Sequence, residues 1–378
     1  MKRANFLIFV FLLATMSICI SAQDAQAVFD RGLQQFKAEQ FDAAIQSFQQ
    51  YLTLVPNNSS ANYNIGISYY RLKRYEDALT YLREAIRNKP DYSEAYVQLG
   101  NSLDYLSRYN EALAAYMKAI EIQPNNSSAF YEVGIAHVRQ KNYQAAADAF
   151  QKAMSFNPSD SNIPYHLGMA YRDLKRPDDA MAMYEKSISL GPTDGYVYYE
   201  LGSNYKDRQR YADAVKMYKD FIRLKPDDAA GYYQMGVTYN ILRQFPDAIA
   251  ALNSAIGLDP TNADYHINLG NSYYNDNKYA EAIPSYKKAA ELSPQWETAH
   301  WYLADAYRDS NQNDLAIAEY NRVLAINVKN ASAVYGMGVI YVTQNKLGLA
   351  REQKIKLDVL DPDLAAKLQT KIAAAPPN

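Results

Sequence analysis

Side chains able to hydrogen-bond to a ligand recur along this chain every 34 residues. One series contains the polar residues Asp30, Asn64, Gln98, Glu132, His166, Glu200, Gln234 and Asn268. In five places a tyrosine directly precedes a member of the series, at Tyr63, Tyr131, Tyr165, Tyr199 and Tyr233. Amide and carboxylate groups can hold the backbone of an extended segment, and aromatic rings add contact area with few torsions to restrict. The chemistry that this pattern indicates is binding.

Residues for catalysis or metal binding do not form a recognisable motif. His266 and His300 are 34 residues apart and therefore equivalent, but Tyr96 and Phe130 occupy the same place in other copies, which favours packing. No third ligand accompanies the two histidines, and neither a phosphate-binding glycine loop nor a His-Glu-x-x-His motif is present. The single cysteine, Cys19, lies in an N-terminal apolar run. We therefore predict a non-enzymatic protein with no metal and no cofactor.

A period of 34 residues organises the chain. Prolines follow it at 56, 90, 124, 158, 192, 226, 260 and 294. Glycines follow it at 32, 66, 100, 134, 168, 202, 236, 270 and 338, with Ala304 in the gap. Alanines follow it at 44, 78, 112, 146, 180, 214, 248, 282, 316 and 350. The sequence thus predicts ten copies of one unit between residues 25 and 364.

Each copy has the apolar spacing of two helices. Ile65, Tyr69 and Leu72 share one helical face, and a second face begins at Ala78, after the turn "KRYED". A glycine inside a helix costs about 1 kcal/mol relative to alanine, so packing must offset it. Close approach of the two helices at the glycine and the alanine would do so. Because one hairpin cannot bury both faces, stacked copies forming a solenoid are expected.

The periodic residues resemble the tetratricopeptide repeat. The third copy carries its pattern as Tyr96, Leu99, Gly100, Ala112, Tyr116, Ala119 and Pro124. The resemblance implies an all-α fold, a right-handed α-α superhelical solenoid of ten helix-turn-helix repeats. The predicted repeats are 25–58, 59–92, 93–126, 127–160, 161–194, 195–228, 229–262, 263–296, 297–330 and 331–364, followed by a capping tail at 365–378. The first and tenth copies depart most from the pattern, as expected of repeats that meet solvent.

In this family the first helices line the concave side, which implies a bound protein or extended peptide there. With the glycine counted as position 8, positions 2, 5, 6, 9, 12 and 13 lie opposite the buried face. The candidate binding residues are Tyr63, Asn64, Gln98, Tyr131, Glu132, Tyr165, His166, Arg172, Tyr199, Glu200, Lys206, Tyr233, Gln234, Asn268, Asn271, Asn275, Trp301 and Arg308. An alternative is that the tyrosines pack between adjacent helices and the polar groups only face water.

The N-terminus has the layout of a secretory signal peptide. Lys2 and Arg3 precede an apolar run that ends at Ile20, and cleavage is expected after Ala22 or as late as Ala27. Export to a bacterial periplasm or beyond is the prediction, and an uncleaved membrane anchor is the alternative. With 39 basic and 41 acidic residues and no block of like charge, nucleic-acid binding is not indicated.

The sequence therefore predicts an exported scaffold for protein interactions. A structural subunit of an envelope assembly or export complex is an alternative, and a regulatory targeting subunit of a separate enzyme, such as a glycosyltransferase, is a more distant one.

Overall fold

The computed structural model describes residues 23–191 and 194–376, and the predicted signal peptide at 1–22 lies outside them. The chain divides into an N-terminal unit, residues 1–193, and a C-terminal unit, residues 194–378. All regular structure in the described residues is helical. The N-terminal unit contains α1 (23–37), α2 (Phe41–Leu54), α3 (Ser59–Arg71), α4 (Tyr75–Asn88), α5 (Ser93–Tyr105), α6 (Tyr109–Ile122), α7 (Ser127–Arg139), α8 (Tyr143–Phe156), α9 (Asn162–Asp173) and α10 (Pro177–Ser189).

The C-terminal unit continues the same pattern of antiparallel helix pairs. It contains α11 (Tyr196–Asp207), α12 (Tyr211–Leu224), α13 (Ala229–Ile241), α14 (Phe245–Leu258), α15 (Ala263–Asn275), α16 (Tyr279–Leu292), α17 (Glu297–Asp309), α18 (Asn313–Ile326), α19 (Ala331–Thr343), α20 (Leu347–Leu360) and α21 (Pro362–Ala374). Odd-numbered helices up to α19 are the first helices of the hairpins, and even-numbered helices are the second. The fold is an all-α repeat solenoid.

The turn within each hairpin is a left-handed helix end. The residue at its centre has φ between 56° and 62° in all ten copies, at Glu39, Lys73, Ser107, Lys141, Lys175, Gln209, Arg243, Asn277, Asn311 and Asn345. After α3, Lys73 N–H donates to the Tyr70 carbonyl and Arg74 N–H to the Tyr69 carbonyl, both at 2.9 Å. These two bonds define a Schellman motif, which satisfies the last carbonyls of the helix.

Side chains also fix where several first helices begin. Asn58 Oδ1 accepts a hydrogen bond from Ala61 N–H at 2.9 Å, and Asn126 Oδ1 accepts one from Ala129 N–H at 3.0 Å. Asn262 and Asn330 occupy the same place before α15 and α19. These asparagines are N-caps, which satisfy amide protons that the first turn leaves free.

The second helix of each repeat packs closely against the first helix at the glycine of position 8. A β-carbon on Gly134 would lie 2.5 Å from Cε1 of Phe150, the residue at position 24 of the same repeat. The alanine at position 20 is fully buried in all ten copies. The predicted close approach of the two helices at glycine and alanine is therefore confirmed.

The C-terminal helix completes the last repeat. Position 24 of the tenth copy is Lys354, which cannot cover a glycine as an aromatic ring does. Leu368 of α21 occupies that space instead, with Cδ2 2.5 Å from where a β-carbon on Gly338 would lie. Helix α21 begins at Pro362, capped by Asp361, and so starts three residues before the predicted tail.

First helices lie closer together than second helices. In the N-terminal unit α3 contacts α5 and α5 contacts α7, and in the C-terminal unit α11 contacts α13 and α13 contacts α15. Contacts between successive second helices are less extensive. The first helices therefore line the inner side of each unit.

Candidate interaction surface

All eighteen predicted binding residues lie on first helices, between α3 and α17. We call this set the first-helix stripe. Seventeen of the side chains are half-buried, and Asn275, at the end of α15, is exposed. Eight belong to the N-terminal unit and ten to the C-terminal unit. None of the eighteen is a fully buried core residue.

Tyrosines at position 5 connect successive repeats. Gln234 Nε2 donates to Tyr199 Oη at 3.4 Å, and Asn268 Nδ2 donates to Tyr233 Oη at 3.3 Å. In the N-terminal unit the Tyr131 ring centroid lies 5.4 Å from that of His166. In each case the tyrosine meets position 6 of the following repeat. Each tyrosine thus packs against the neighbouring first helix, as the packing alternative expects, and its side chain is half-buried.

Gln234 is held from two sides. Besides its contact with Tyr199, its Oε1 accepts a hydrogen bond from Lys206 Nζ at 2.6 Å. Asn268 also donates to the Asp264 carbonyl at 2.9 Å. These bonds fix the orientation of the amide groups, which is a requirement for a preorganised binding surface.

Other stripe residues have local partners. Asn64 Nδ2 donates to the Ser60 carbonyl at 2.8 Å, and Arg172 Nε donates to Asp173 at 3.0 Å. Burial raises the pKa of Tyr63 to about 12, and its ring lies 4.9 Å from that of Tyr92. Ring contacts also hold Tyr165 against His166 and Trp301 against Tyr302, each at 5.0 Å. Gln98 and Glu200 are half-buried on α5 and α11.

Asn271 has a structural partner that the sequence analysis did not identify. Its Oδ1 accepts a hydrogen bond from the buried Tyr286 hydroxyl at 2.8 Å, and Asn101 accepts one from Tyr116 at the same distance. These pairs join positions 9 and 24 of one repeat. Two further pairs have the same arrangement, Ser203 with Tyr218 and Asp305 with Tyr320, whereas Tyr184 of the fifth repeat has the apolar Met169 at position 9.

Repeats without a hydroxyl at position 24 have an apolar residue at position 9. Phe48 is paired with Leu33 and Phe150 with Ile135, while Leu82 is paired with Ile67 and Leu252 with Val237. A buried hydroxyl requires a hydrogen-bond partner, and a phenyl or leucine side chain does not. Position 9 therefore serves the interior as well as the stripe.

Arg308, at position 12 of the ninth repeat, belongs to a saturated ionic group that we call the Arg308 network, comprising Tyr274, Asp305, Arg308, Asp309 and Tyr320. Arg308 donates to Asp305 at 2.8 Å, to Asp309 at 2.7 Å and to Tyr320 Oη at 2.9 Å. Asp305 also accepts from Tyr320, and Asp309 from Tyr274. Each carboxylate thus has at least two donors, which is what buried charges require.

A different arrangement surrounds Glu132 in the N-terminal unit. We call it the Glu132 cluster, comprising Tyr70, Asp104, Tyr105, Glu132 and Arg139. The pKa of the Glu132 carboxyl is raised to about 7, first by burial and then by the charge of Asp104, against the lowering effect of Arg139. Burial likewise raises the pKa of Asp104, against the opposing effect of Arg139. One arginine therefore faces two carboxyl groups.

Sequence reasoning found Glu132 and Arg308 but not most of their neighbours. Asp104 is at position 12 of the third repeat, and its partner Arg139 is at position 13 of the fourth. Only adjacent charges within one repeat, such as Arg308 and Asp309, were recognisable as pairs. Comparing position 12 with position 13 of the following repeat would have revealed the Asp104–Arg139 pair.

The described ranges, 23–191 and 194–376, contain neither a group of metal ligands nor a membrane-spanning helix. They contain no group of three or more His, Cys, Asp or Glu residues able to hold a metal ion. His300 instead contacts Glu319 through Nδ1 at 2.7 Å and the Pro294 carbonyl through Nε2 at 3.1 Å. No helix in these ranges has the length and apolar character needed to span a bilayer.

Helical hairpins in a 34-residue frame, with glycine under an aromatic ring, define the class of tetratricopeptide-repeat proteins. Two tetratricopeptide repeat models match residues 242–297 and 304–345. The model described as the C-terminal domain of cilia and flagella-associated protein 70 matches residues 56–264, more than half of the 378 residues, and the chain belongs to this family. No sequence among the curated proteins matches the chain.

Solved structures share the fold. The C-terminal part of a TPR repeat-containing protein from Cytophaga hutchinsonii is 18% identical, with a TM-score of 0.56 over 63% of this chain and 98% of that one. PilF of Pseudomonas aeruginosa is 21% identical, with a TM-score of 0.50 over 55% of this chain and 94% of that one. Yeast Tom70 is 16% identical and covers 93% of this chain and 96% of its own, with a TM-score of 0.40. At these identities the likeness to the first two structures concerns the fold alone.

Proposed function

We propose that this protein is a non-catalytic interaction scaffold that holds extended protein or peptide segments on the first-helix stripe residues of each unit. Tetratricopeptide proteins of this kind act as scaffolds for protein interactions. The observation that carries the proposal is the half-burial of seventeen stripe side chains. Each packs partly against its own scaffold, which restricts its rotamers, and keeps the rest of its surface available. Restriction before binding lowers the entropic cost of association.

Photo-crosslinking from matched positions tests the proposal. A photoreactive amino acid replaces Gln98 or Gln234, both at position 6, and the protein is expressed in the organism from which it comes. The control positions are Arg83 and Asn253, which are exposed at position 25 of second helices. The proposal expects a discrete crosslinked partner from the stripe positions and none from the controls. Equal yields from both sets would contradict it.

We also propose export with cleavage after Ala22. The support is the charged and apolar layout of the N-terminus together with the burial of Ala25, which is 4% exposed in α1. Cleavage after Ala27 would remove this residue from the core that it shares with Tyr51 and Ala61. N-terminal sequencing of protein isolated from the cell envelope should give Gln23 first. A mature chain beginning at Val28, or retention of Met1, would refute the proposed cleavage.

A further inference from the structure

The Glu132 cluster contains more hydrogen-bond acceptors than donors. Asp104 is 6% exposed, and its Oδ2 lies 3.0 Å from Arg139 Nη2. Its Oδ1 is buried and has no hydrogen-bond partner within residues 23–191. In the same range, the pKa of Glu132 is shaped by burial, by Asp104 and by Arg139, with no hydrogen bond among the causes. Buried polar atoms in native proteins are nearly always paired, so an unpaired carboxylate oxygen indicates a missing donor.

The Arg308 network shows how the same scaffold satisfies such groups when no ligand is needed. There, one arginine and two tyrosine hydroxyls serve the carboxylates Asp305 and Asp309. In the Glu132 cluster, Arg139 serves Asp104 alone. Both groups contain one arginine and two carboxylates, so they differ in the donors that reach the carboxylates and not in formal charge.

We propose that the Glu132 cluster binds a basic side chain, lysine or arginine, of the extended segment held on the first-helix stripe. A lysine ammonium brings three donors and one positive charge, and an arginine guanidinium brings five donors. Either would supply donors for Glu132 and for Oδ1 of Asp104 and balance the second carboxylate. This inference rests on the proposed function, since it names the chemistry of one anchor in the bound segment.

Aromatic rings around the cluster suit an organic cation. Tyr70 and Tyr105 pack edge to face with centroids 5.6 Å apart, and Tyr105 is 54% exposed. The Glu132 charge contributes to raising the pKa of Tyr70 and of Tyr131, each raised mainly by burial, which places both phenols near the carboxylate. Ring faces beside a carboxylate attract ammonium and guanidinium groups.

A divalent metal fits the cluster less well than a basic side chain. Only Asp104 and Glu132 offer carboxylate oxygens, whereas calcium and magnesium take six or more oxygen ligands. The positive charge of Arg139, 3.0 Å from Asp104, opposes a second cation of double charge. Hydrogen-bonding cations tolerate this neighbour better because they carry one charge and fixed donor directions.

Binding should depend on pH in a defined direction. The groups that face Glu132 are Asp104 on α5, Arg139 and Tyr131 on α7, Tyr70 on α3 and Tyr116 on α6. Because burial raises the pKa of Glu132 to about 7, the carboxyl is neutral in mildly acidic solution and charged above neutrality. A bound cation favours the charged form, so affinity for it should rise from about pH 6 to about pH 8.

The experiment uses the full-length protein and two capped peptides, acetyl-Ala-Ala-Lys-Ala-Ala-amide and its counterpart with norleucine replacing lysine. Binding is followed by NMR of the carboxyl carbons of labelled Glu and Asp. Glu132→Gln is the test variant, Asp104→Asn a second one, and Glu111→Gln, on the exposed start of α6, the matched control. Circular dichroism establishes that each variant is folded.

The inference expects the lysine peptide to bind about ten times more tightly than the norleucine peptide and to lower the pKa of Glu132. Glu132→Gln should remove that preference, and Glu111→Gln should keep it. Equal binding of both peptides overturns the basic anchor but leaves the stripe as a binding surface. Absence of binding by the lysine peptide also overturns it. So does a lowering of the Glu132 pKa by calcium or magnesium alone that equals the lowering by the lysine peptide. The photo-crosslinking comparison tests the proposed function independently of these results.

Discussion

Replacing the Glu132 carboxyl by an amide should stabilise the protein at neutral and alkaline pH. The pKa of this carboxyl is raised from 4.5 to about 7 by burial first and by Asp104 second. In the unfolded chain the carboxyl has its ordinary pKa of 4.5. Between these two values the folded chain therefore binds more protons than the unfolded chain, and the free energy of unfolding falls as the pH rises. At about 1.4 kcal/mol for each pH unit between them, the loss is about 3 kcal/mol above pH 7.

Urea unfolding from about pH 4 to about pH 8, followed by circular dichroism, measures the effect. Glu132→Gln should match the wild type at the acidic end and exceed its unfolding free energy by about 3 kcal/mol at the alkaline end. Glu111→Gln is the control of opposite sign, because a hydrogen bond from Arg108 lowers the pKa of Glu111. That variant should gain nothing at alkaline pH. If Glu132→Gln followed the wild-type pH profile, the carboxyl would not carry the burial cost inferred from the structure.

Three further predictions concern packing and backbone conformation. Tyr116→Phe and Asn101→Ile should each destabilise by about 1–2 kcal/mol and the double change by less than their sum; additive effects would refute the hydrogen bond between them. Gly134→Ala should destabilise the protein by about 2 kcal/mol because its β-carbon would lie 2.5 Å from the Phe150 ring. Gly257→Ala, with no atom within 4 Å of its β-carbon, should stabilise the protein by up to about 1 kcal/mol, and equal effects of the two changes would contradict the packing. Lys141→Gly should raise the unfolding free energy by about 1 kcal/mol because φ is 60° there, and an unchanged urea midpoint would argue against left-handed strain.

Much of the fold follows from the sequence because its causes are local and repeated. Gly134 and Ala146 lie in one hairpin, so a single copy explains both, and nine or ten copies make the pattern unmistakable. The asparagine before α3 caps that helix through an atom three residues from its donor. Interactions of such short range require the same residue types in every repeat, so the sequence pattern alone predicts them.

The contacts of the first-helix stripe were less predictable because they cross from one repeat to the next. Position 6 was expected to present free polar groups, but Gln234 is held by Tyr199 and Lys206. The excess of acceptors around Glu132 depends on Asp104, 28 residues earlier, and on how deeply both carboxyls are buried. Burial and the direction of a side chain are properties of the packed array, and spacing alone does not specify them.

The two kinds of tyrosine contact have different consequences when repeats are duplicated, lost or exchanged. The hydrogen bond between Tyr116 and Asn101 lies inside one hairpin, so that hairpin takes a satisfied interior with it wherever it is moved. The contact between Tyr233 and Asn268 crosses a junction and depends on which residue a new neighbour has at position 6. Recombination can thus preserve foldability while reassigning the groups displayed on the inner side. Such an array can acquire new partners while each hairpin keeps the interactions that stabilise its fold.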